Sequence, residues 1–327
     1  MHSHRRSLSS ATRKNSHDSK TRVPPDTQDK TDHYIRAGDA VQMPPHVAKH
    51  STDTSLVGTT PFTSDKPFFL PQISQYLLVE LDPRRADITL IVCGFVSGLV
   101  DGLSFNAWGS FSSMQTGNTV FIALGVSGQP EYPAFLWAKS LIALTVFLLS
   151  NVFFIHLSRA LNPLRRSTLI LSFGLQTAAL IAAAAVVQMG FVSPKPEDPR
   201  APIQWNQLIP ITLLAFQAAG QIVASRLLAF DEIPTVVLTS LLCDLLVDTN
   251  LYTRPWSANS KRNRRIAAFL VLFMGAMTAG GLSKVTAMAS SLWLAVALKG
   301  SITLSWFVWK DSSGAVRPKQ VLDGSMV

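Results

Sequence analysis

Six long apolar segments constrain the fold of this chain more than any other feature of its sequence. A helix needs about 20 mostly apolar residues to cross the hydrocarbon core of a bilayer, and each segment is long enough to do so. The sequence therefore predicts an all-α fold, a polytopic membrane helix bundle with about six transmembrane helices. The predicted spans are residues 88–105, 134–157, 168–189, 208–230, 266–282 and 285–309.

The distribution of charge supports this prediction. Only 15% of the 327 residues are charged, against about 25% in a typical soluble domain. The charges are concentrated near the N-terminus, where residues 1–87 hold 12 of the 29 Lys and Arg residues and 10 of the 20 Asp and Glu residues. The rest of the chain is apolar enough to form a transmembrane domain, which we place at residues 88–309.

The first 87 residues have a different character. They are rich in Ser, Thr, Asp, Lys, Arg and Pro, and they show no sustained apolar period. A segment of this composition cannot bury enough apolar surface to offset its chain entropy, so we expect a disordered polar N-terminal tail over residues 1–87. Its basic, Ser-rich start lacks the apolar core of a secretory signal peptide. Residues 310–327 are expected to form a short cytoplasmic C-terminal tail.

Two further apolar stretches, residues 114–127 and 234–250, are shorter and more polar than the six spans. A Gly-Asn pair interrupts the first stretch, and Pro234 begins the second. If both stretches crossed the bilayer, the arginine-rich loop 158–167 would lie on the side away from the cytoplasm, against the positive-inside rule. We therefore expect two short re-entrant or broken segments, six crossings, and N and C termini in the cytoplasm.

With this topology, each half of the chain contains one span, one short element and two further spans. Three crossings in each half would turn the second half upside down relative to the first, which is the architecture of many secondary transporters. A weak internal similarity is compatible with such an inverted repeat. The tetrapeptide that begins at Thr119 (Thr-Val-Phe-Ile) resembles the one that begins at Thr235 (Thr-Val-Val-Leu).

Ionisable residues inside the predicted membrane segments are costly in lipid and usually face protein or water. Asp101, Arg226, Asp244 and Lys299 are the main examples. Each of three also has a structural interpretation: Asp101 as an interfacial helix cap, Arg226 as a side chain that reaches the membrane surface, and Lys299 as one partner of a buried ion pair with a carboxylate. Asp101 or Asp244 is a candidate proton carrier, unless Arg226 neutralises it.

The most distinctive string is residues 114–120, Met-Gln-Thr-Gly-Asn-Thr-Val. A polar segment broken by Gly must be sheltered from lipid, so it is a candidate lining for a solute site. Its alternative role is an ordinary helix start, because Asn and Thr cap helices well. We expect the two broken segments to meet near the midplane, with Asn118 and Thr235 facing one cavity. The candidate substrate-binding residues are Asp101, Gln115, Thr116, Asn118, Thr119, Arg226, Thr235, Thr239 and Asp244.

The same strings carry a resemblance to a known family. Residues 101–105 (Asp-Gly-Leu-Ser-Phe) and 114–120 are followed in the second half by residues 233–239 (Ile-Pro-Thr-Val-Val-Leu-Thr) and Asp244-Leu245. In this order they resemble the YoaK-type family, domain of unknown function 1275, over residues 85–310. The resemblance implies a multi-pass membrane protein of bacteria or fungi, and the long polar tail is similar to that of fungal members. It implies no catalytic residues.

Several function classes are disfavoured by the sequence. His156 stands alone at the end of a span, no Cys and His set has metal-ligand spacing, and no phosphate-binding Gly-rich loop precedes a helix. We expect neither an enzyme nor a metal or cofactor site. The basic cluster 259–265 suits anionic lipid head groups better than nucleic acid. The expected partners are the lipid bilayer and an unknown small solute, and the sequence leaves a homo-oligomer open.

These observations predict a secondary transporter or permease of a small solute, in the plasma membrane or an internal membrane. The alternative is a non-transporting membrane receptor or assembly scaffold, whose tail would recruit partners. A transporter requires polar groups from both halves that converge inside the membrane, whereas a scaffold does not.

Overall fold

The computed structural model describes residues 69–131, 133, 135–192, 198 and 202–312. In this part of the chain the regular structure is helical, apart from two isolated β-bridges. The helices are α1 (Phe69–Leu78), α2 (Ala86–Trp108), α3 (Gln115–Val126), α4 (Leu136–Leu161), α5 (Arg166–Gln188), α6 (Leu208–Leu227), α7 (Thr239–Leu246), α8 (Ser260–Val285) and α9 (Met288–Ser305).

Six of these helices, α2, α4, α5, α6, α8 and α9, are long and apolar enough to cross a membrane. They coincide with the six predicted spans, so the predicted fold class is confirmed and the chain is a multi-pass integral membrane protein. Helices α3 and α7 coincide with the two shorter stretches. At 1.5 Å per residue they are roughly 18 and 12 Å long, less than the roughly 30 Å of hydrocarbon, so neither can cross alone.

The packing of the helices repeats between the two halves of the chain. Helix α2 packs against α8 and α9, and α6 packs against α4 and α5. Helix α3 packs on α4, and α7 packs on α8. Further contacts join α4 to α5, α8 to α9, α2 to α6 and α5 to α9. When α2, α3, α4 and α5 are exchanged with α6, α7, α8 and α9, the pairs α2–α6 and α5–α9 are unchanged, and each other pair becomes another pair of the same set. The bundle therefore contains an internal repeat.

Close approach of two backbones fixes the direction of α8 relative to α2. A Cβ atom added to Gly98 would lie 2.0 Å from the carbonyl oxygen of Leu272, and one added to Gly102 would lie 2.7 Å from the Cβ of Ala279. Contacts therefore advance along both helices together, so α2 and α8 are parallel. Small residues allow such close helix packing in membranes, where association depends on van der Waals contact.

The equivalent helices α2 and α6 run in opposite directions. The side chain of Gln221 donates to the hydroxyl of Ser97 at 3.0 Å. Lys139 donates to the carbonyl oxygen of Trp108 and to the side chain of Gln207, which brings the end of α2 close to the start of α6. Residue numbers therefore increase along α2 in the direction in which they decrease along α6. The second half of the bundle is inverted relative to the first.

The internal similarity between the tetrapeptides at Thr119 and Thr235 does not mark equivalent positions. Thr119 lies inside α3, whereas Thr235 lies in the connection before α7. The left-handed turns that follow α2 and α6 give a better alignment, because Gly109 has φ 70° and Ala229 has φ 61°. The two turns are 120 residues apart in the sequence (229 − 109), whereas the two tetrapeptides are 116 residues apart (235 − 119). The repeat therefore exists, but the tetrapeptides do not mark it.

The two ends of the bundle differ in charge. The end at which α2, α5 and α8 begin is named here the basic end, and the opposite end is the far end. The arginines at the basic end include Arg84, Arg85, Arg159, Arg165, Arg166, Arg226, Arg262, Arg264 and Arg265.

Part of the predicted N-terminal tail lies in the described chain. Residues 1–68 lie outside the described part of the chain, but Phe69–Leu78 form α1, which packs on α5. The guanidinium carbon of Arg166 lies 3.9 Å from the centre of the Tyr76 ring, which fixes α1 against the basic end. Residues 69–87 of the predicted tail therefore include a helix that packs on the bundle.

Candidate functional site

Asp101 organises the connection between α2 and α3. Its carboxylate is buried and accepts hydrogen bonds from the backbone N–H groups of Ser112 and Ser113, each at 2.8 Å. The hydroxyl of Ser112 donates to the same oxygen at 2.7 Å, and the hydroxyl of Ser113 donates to the other oxygen. Four donors satisfy the carboxylate and draw the chain back into the bundle. Asp101 is thus an anchor for this connection.

Asn118 holds the same connection from the side of α3. Its side chain is fully buried; Oδ1 accepts from the backbone N–H of Phe111 at 3.1 Å, and Nδ2 donates to the carbonyl oxygen of Phe111 at 2.8 Å. Nδ2 also donates to Oε1 of Gln115, whose Nε2 donates to the carbonyl oxygen of Ser112 at 2.9 Å. The Gln-Thr-Gly-Asn string therefore shelters a turn of backbone that lipid could not satisfy.

A cavity of about 310 Å³ lies where α3 and α7 begin. Gln115, Thr116 and Thr239, three of the predicted site residues, line this cavity. Both halves of the chain contribute to it, because the residues before α7 form its second wall. The other lining residues include Phe111, Met114, Phe147, Ile222, Val236 and Leu238. Residues of both interrupted segments thus line one cavity.

Three of the predicted residues lie behind this cavity rather than in its wall. Asp101, Asn118 and Thr235 are buried, and none of them lines the cavity. Asn118 instead points into the turn that it stabilises. Thr235 has φ 60°, an unfavourable conformation for a β-branched residue. Its buried hydroxyl has no hydrogen-bond partner among the described residues.

The remaining three predicted residues lie at exposed positions. Arg226 pairs with Asp231 at 2.9 Å, so it neutralises neither of the two proposed proton carriers. Asp244 lies on α7 with its side chain exposed. Thr119 is also exposed, and its hydroxyl donates to the carbonyl oxygen of Gln115 within α3. The nine candidate residues therefore do not form a single cluster.

A buried lysine forms a second polar centre, which the predicted site did not include. Lys299 on α9 is fully buried, and its Nζ donates to Oε1 of Gln221 at 2.7 Å. The sulfur of Cys93 lies 3.8 Å from Nζ, and the centre of the Phe173 ring lies 5.4 Å away. No carboxylate of the described chain lies within salt-bridge distance of Lys299. The expected ion pair with a carboxylate is therefore wrong.

Three glutamines surround this region of the bundle. Gln221 joins α6 to α2, and Gln176 lies against Gly220, where an added Cβ would approach it within 2.8 Å. Oε1 of Gln176 and both amide atoms of Gln217 are buried without a hydrogen-bond partner among the described residues. Amide side chains inside apolar spans were the sequence signal that could have revealed this centre, because they are costly in lipid unless paired.

Asp101 and Gln221 occupy equivalent positions in the inverted repeat. Each precedes the left-handed turn of its half by eight residues (109 − 101 and 229 − 221). In the first half the position anchors the connection to α3, whereas in the second half it contacts Lys299. The two halves thus share a geometry while their buried polar groups serve different contacts.

Comparison with known proteins identifies the family of this chain. The model of the family described as "Protein of unknown function (DUF1275)" matches residues 89–305, which include all or nearly all of each crossing helix. The chain belongs to the DUF1275 family. No curated protein and no solved structure matches it. Family membership therefore establishes the class of this membrane protein, while its activity has to be argued from the site.

This DUF1275 chain also has a larger cavity, of about 660 Å³, at the far end. The ends of α2 and α5 and the connection from α8 to α9 line it. Asn106, Trp108 and Gln188 contribute to the wall, as does Trp293, whose indole N–H donates to Oε1 of Gln188 at 2.6 Å. The far end of the bundle is thus indented.

Cations occupy equivalent positions near the starts of α4 and α8 in this DUF1275 chain. Lys139 contacts Gln207 at the start of α6, and Arg264 pairs with Asp87 at the start of α2 at 2.9 Å. Lys139 is buried in this contact. The first contact joins the starts of α4 and α6, and the second joins the starts of α8 and α2. These two helix pairs are equivalent in the repeat.

Proposed function

We propose that this DUF1275 protein is a secondary transporter or permease of a small solute. The observation that carries the proposal is the cavity of about 310 Å³ at the starts of α3 and α7, because both inverted halves contribute their interrupted segments to it. Secondary transporters built from inverted repeats place their solute sites at such broken elements. A receptor or scaffold has no comparable need for a cavity shared between halves.

The lining of this cavity favours a particular class of solute. Phe111, Phe147 and Ile222 provide apolar surface, while the exposed side chains of Thr116 and Thr239 offer hydroxyl groups. Small-molecule sites combine a mostly apolar wall with a few polar groups that orient the ligand. The proposed solute is therefore small and largely apolar, with one or two hydrogen-bonding groups.

The proposed coupling residue is Lys299. Asp101 is engaged by four hydrogen bonds and Asp244 is exposed, so neither fits a proton carrier that is alternately buried and hydrated. An ammonium group without a counter-ion is costly in a low-dielectric interior, and the neutral amine is less so. Lys299 would accordingly release a proton when the centre is closed and bind one when water enters.

The basic end is proposed to face the cytoplasm, together with both termini, because cytoplasmic loops carry an excess of Lys and Arg. Cysteines introduced into the α4–α5 connection, residues 162–165, test this orientation. Their labelling by a membrane-impermeant reagent from the cytoplasmic side is expected, and labelling from the opposite side would reverse the assignment.

The solute is to be identified by comparing metabolites in cells that lack the protein and cells that overproduce it. The solute found is then tested for uptake into proteoliposomes that contain the purified protein. Thr239→Trp fills the cavity and is expected to abolish uptake, whereas Ser240→Trp, at the neighbouring exposed position outside the cavity wall, is expected to preserve it. Uptake that is absent from wild-type proteoliposomes, or unaffected by Thr239→Trp, would contradict the proposal.

A further inference from the structure

A short segment before α2 closes the basic end of the bundle. Residues 79–82, named here the strap, lie between the α4–α5 connection and the chain after α9. The carbonyl oxygen of Val79 accepts from the backbone N–H of Arg166 at 2.9 Å, and the backbone N–H of Leu81 donates to the carbonyl oxygen of Leu164 at 2.9 Å. The strap is thus hydrogen-bonded to the α4–α5 connection through its backbone.

The other side of the strap binds the chain after α9. The carbonyl oxygen of Glu80 accepts from the backbone N–H of Ser312 at 2.9 Å, and the backbone N–H of Asp82 donates to the carbonyl oxygen of Lys310 at 3.1 Å. The indole N–H of Trp309 also donates to the carbonyl oxygen of Asp82 at 2.8 Å. The strap therefore joins two segments that are distant from each other in the sequence.

One apolar side chain of the strap enters the bundle. Leu81 is 2% exposed and belongs to a buried apolar cluster with Leu169 of α5, Leu228 at the end of α6, Ile302 of α9, and Trp306 directly after α9. The strap thus fills space between the ends of α6 and α9 and the α4–α5 connection.

The inverted repeat gives this space a counterpart. In the repeat, the end of α6 is equivalent to the end of α2, and the end of α9 is equivalent to the end of α5. The α4–α5 connection is likewise equivalent to the α8–α9 connection. These are the elements that line the far-end cavity of about 660 Å³. The position that forms a cavity at the far end is therefore filled by the chain itself at the basic end.

We propose that the strap is a gate, and that its release opens at the basic end a cavity equivalent to the one at the far end. The proposal rests on the proposed transport function, for which the two cavities would be the two mouths of the solute path. Arg166 is the latch: its side chain is 3% exposed, and it donates to Asp311 at 2.5 Å and to the carbonyl oxygen of Trp309 at 2.7 Å. These contacts hold the chain after α9 against the strap.

Accessibility of a cysteine tests the gate without any solute. The full chain carries Cys243→Ser, which removes an exposed thiol, and Leu228→Cys as a reporter beneath the strap. The purified protein in proteoliposomes is treated with N-ethylmaleimide, and the alkylation rate of the thiol at position 228 is measured separately from that of the buried Cys93. Leu81→Asp is expected to raise the rate at position 228 by at least roughly tenfold, because local opening governs the reactivity of a buried group. Leu78→Asp, at an exposed position of α1, is the matched control and should not change it.

A second reporter and a second variant keep the test decisive. Ala289→Cys, in the wall of the far-end cavity, should react at an unchanged rate in the Leu81→Asp protein. If the rate at position 289 also rises, the Leu81→Asp protein has unfolded. The gate is then tested by a disulfide cross-link between Glu80→Cys and Arg165→Cys, because these two residues face each other in a β-bridge. Oxidation of this pair should slow alkylation at position 228, and reduction should restore it.

The gate is overturned if the folded Leu81→Asp protein, or the cross-linked protein, shows an unchanged alkylation rate at position 228. Because no solute takes part, failure of the gate is distinguishable from failure of the proposed transport. A gated protein that moves no solute would refute the transport function alone, and solute uptake by a protein with an immobile strap would refute the gate alone.

Discussion

Replacement of Asp101 separates its role as an anchor from a role in proton transfer. Asp101→Ala removes the acceptor for the backbone N–H groups of Ser112 and Ser113, while the two hydroxyl groups can rotate toward other acceptors. A buried donor left unpaired costs about 1–3 kcal/mol, so two backbone N–H groups imply a destabilisation of roughly 2–6 kcal/mol. The connection between α2 and α3 should then detach from the bundle.

Asp101→Asn should be much milder. Oδ1 accepts both backbone N–H groups and the Ser112 hydroxyl, and asparagine retains this oxygen. The Ser113 hydroxyl can reverse and accept from the new amide group. Hydrogen bonds to a neutral acceptor are weaker than those to a carboxylate, but less desolvation offsets part of the difference, so we expect a loss of roughly 1–2 kcal/mol.

Stability is measured by unfolding the purified protein with SDS in mixed micelles, with tryptophan fluorescence as the signal. Trp108, buried at the end of α2 beside the anchored connection, reports on its detachment. Asp244→Asn, at an exposed position of α7, is the control and should stay within about 0.5 kcal/mol of the wild type. Equal destabilisation by Asp101→Ala and Asp101→Asn, or none by Asp101→Ala, would refute the anchor. A stable Asp101→Asn protein that has lost transport would instead indicate proton transfer.

Two further predictions concern helix packing and the buried lysine. Gly98→Ala places a Cβ 2.0 Å from the carbonyl oxygen of Leu272 and should lower stability by roughly 1–3 kcal/mol; Gly174→Ala, with no atom within 4 Å of the added Cβ, should not, and equal effects would contradict the packing argument. Lys299→Met should roughly preserve stability, because removal of a polar amine from an apolar interior offsets the loss of its hydrogen bond to Oε1 of Gln221, and it should abolish uptake. Unfolding of the Lys299→Met protein at a clearly lower SDS fraction than the wild type would show that the bond to Gln221 is structural.

Hydropathy along the chain predicted the crossing helices with good boundaries. Lipid offers no hydrogen-bond partners, so each crossing segment must satisfy its backbone within a helix. This requirement acts on consecutive residues and is therefore legible in the sequence. The two interrupted segments were legible for the same reason, because polar residues beside Gly117 or Pro234 cannot continue an exposed apolar helix.

The sequence predicted the hydrogen-bond partners of the buried polar groups less well than it predicted the helices. The sequence indicated that Asp101, Asn118 and Lys299 needed partners, but it suggested a shared solute site for the first two and a carboxylate for the third. Asp101 and Asn118 instead share one turn of backbone, and Lys299 contacts Gln221, which is 78 residues away. Such contacts depend on the rotation and depth of separate helices, which hydropathy does not specify.

The sequence by itself determined that this chain is a six-helix membrane protein with two half-length elements, because transfer from water to lipid acts on each segment independently. The tertiary structure alone decided which segments fill the ends of the bundle. Residues 79–82 read as part of a polar tail, yet Leu81 is buried and the strap backbone bonds to Leu164 and Lys310. A strap of this kind is held by main-chain hydrogen bonds, which any side chain permits, so its sequence carries little trace of its position.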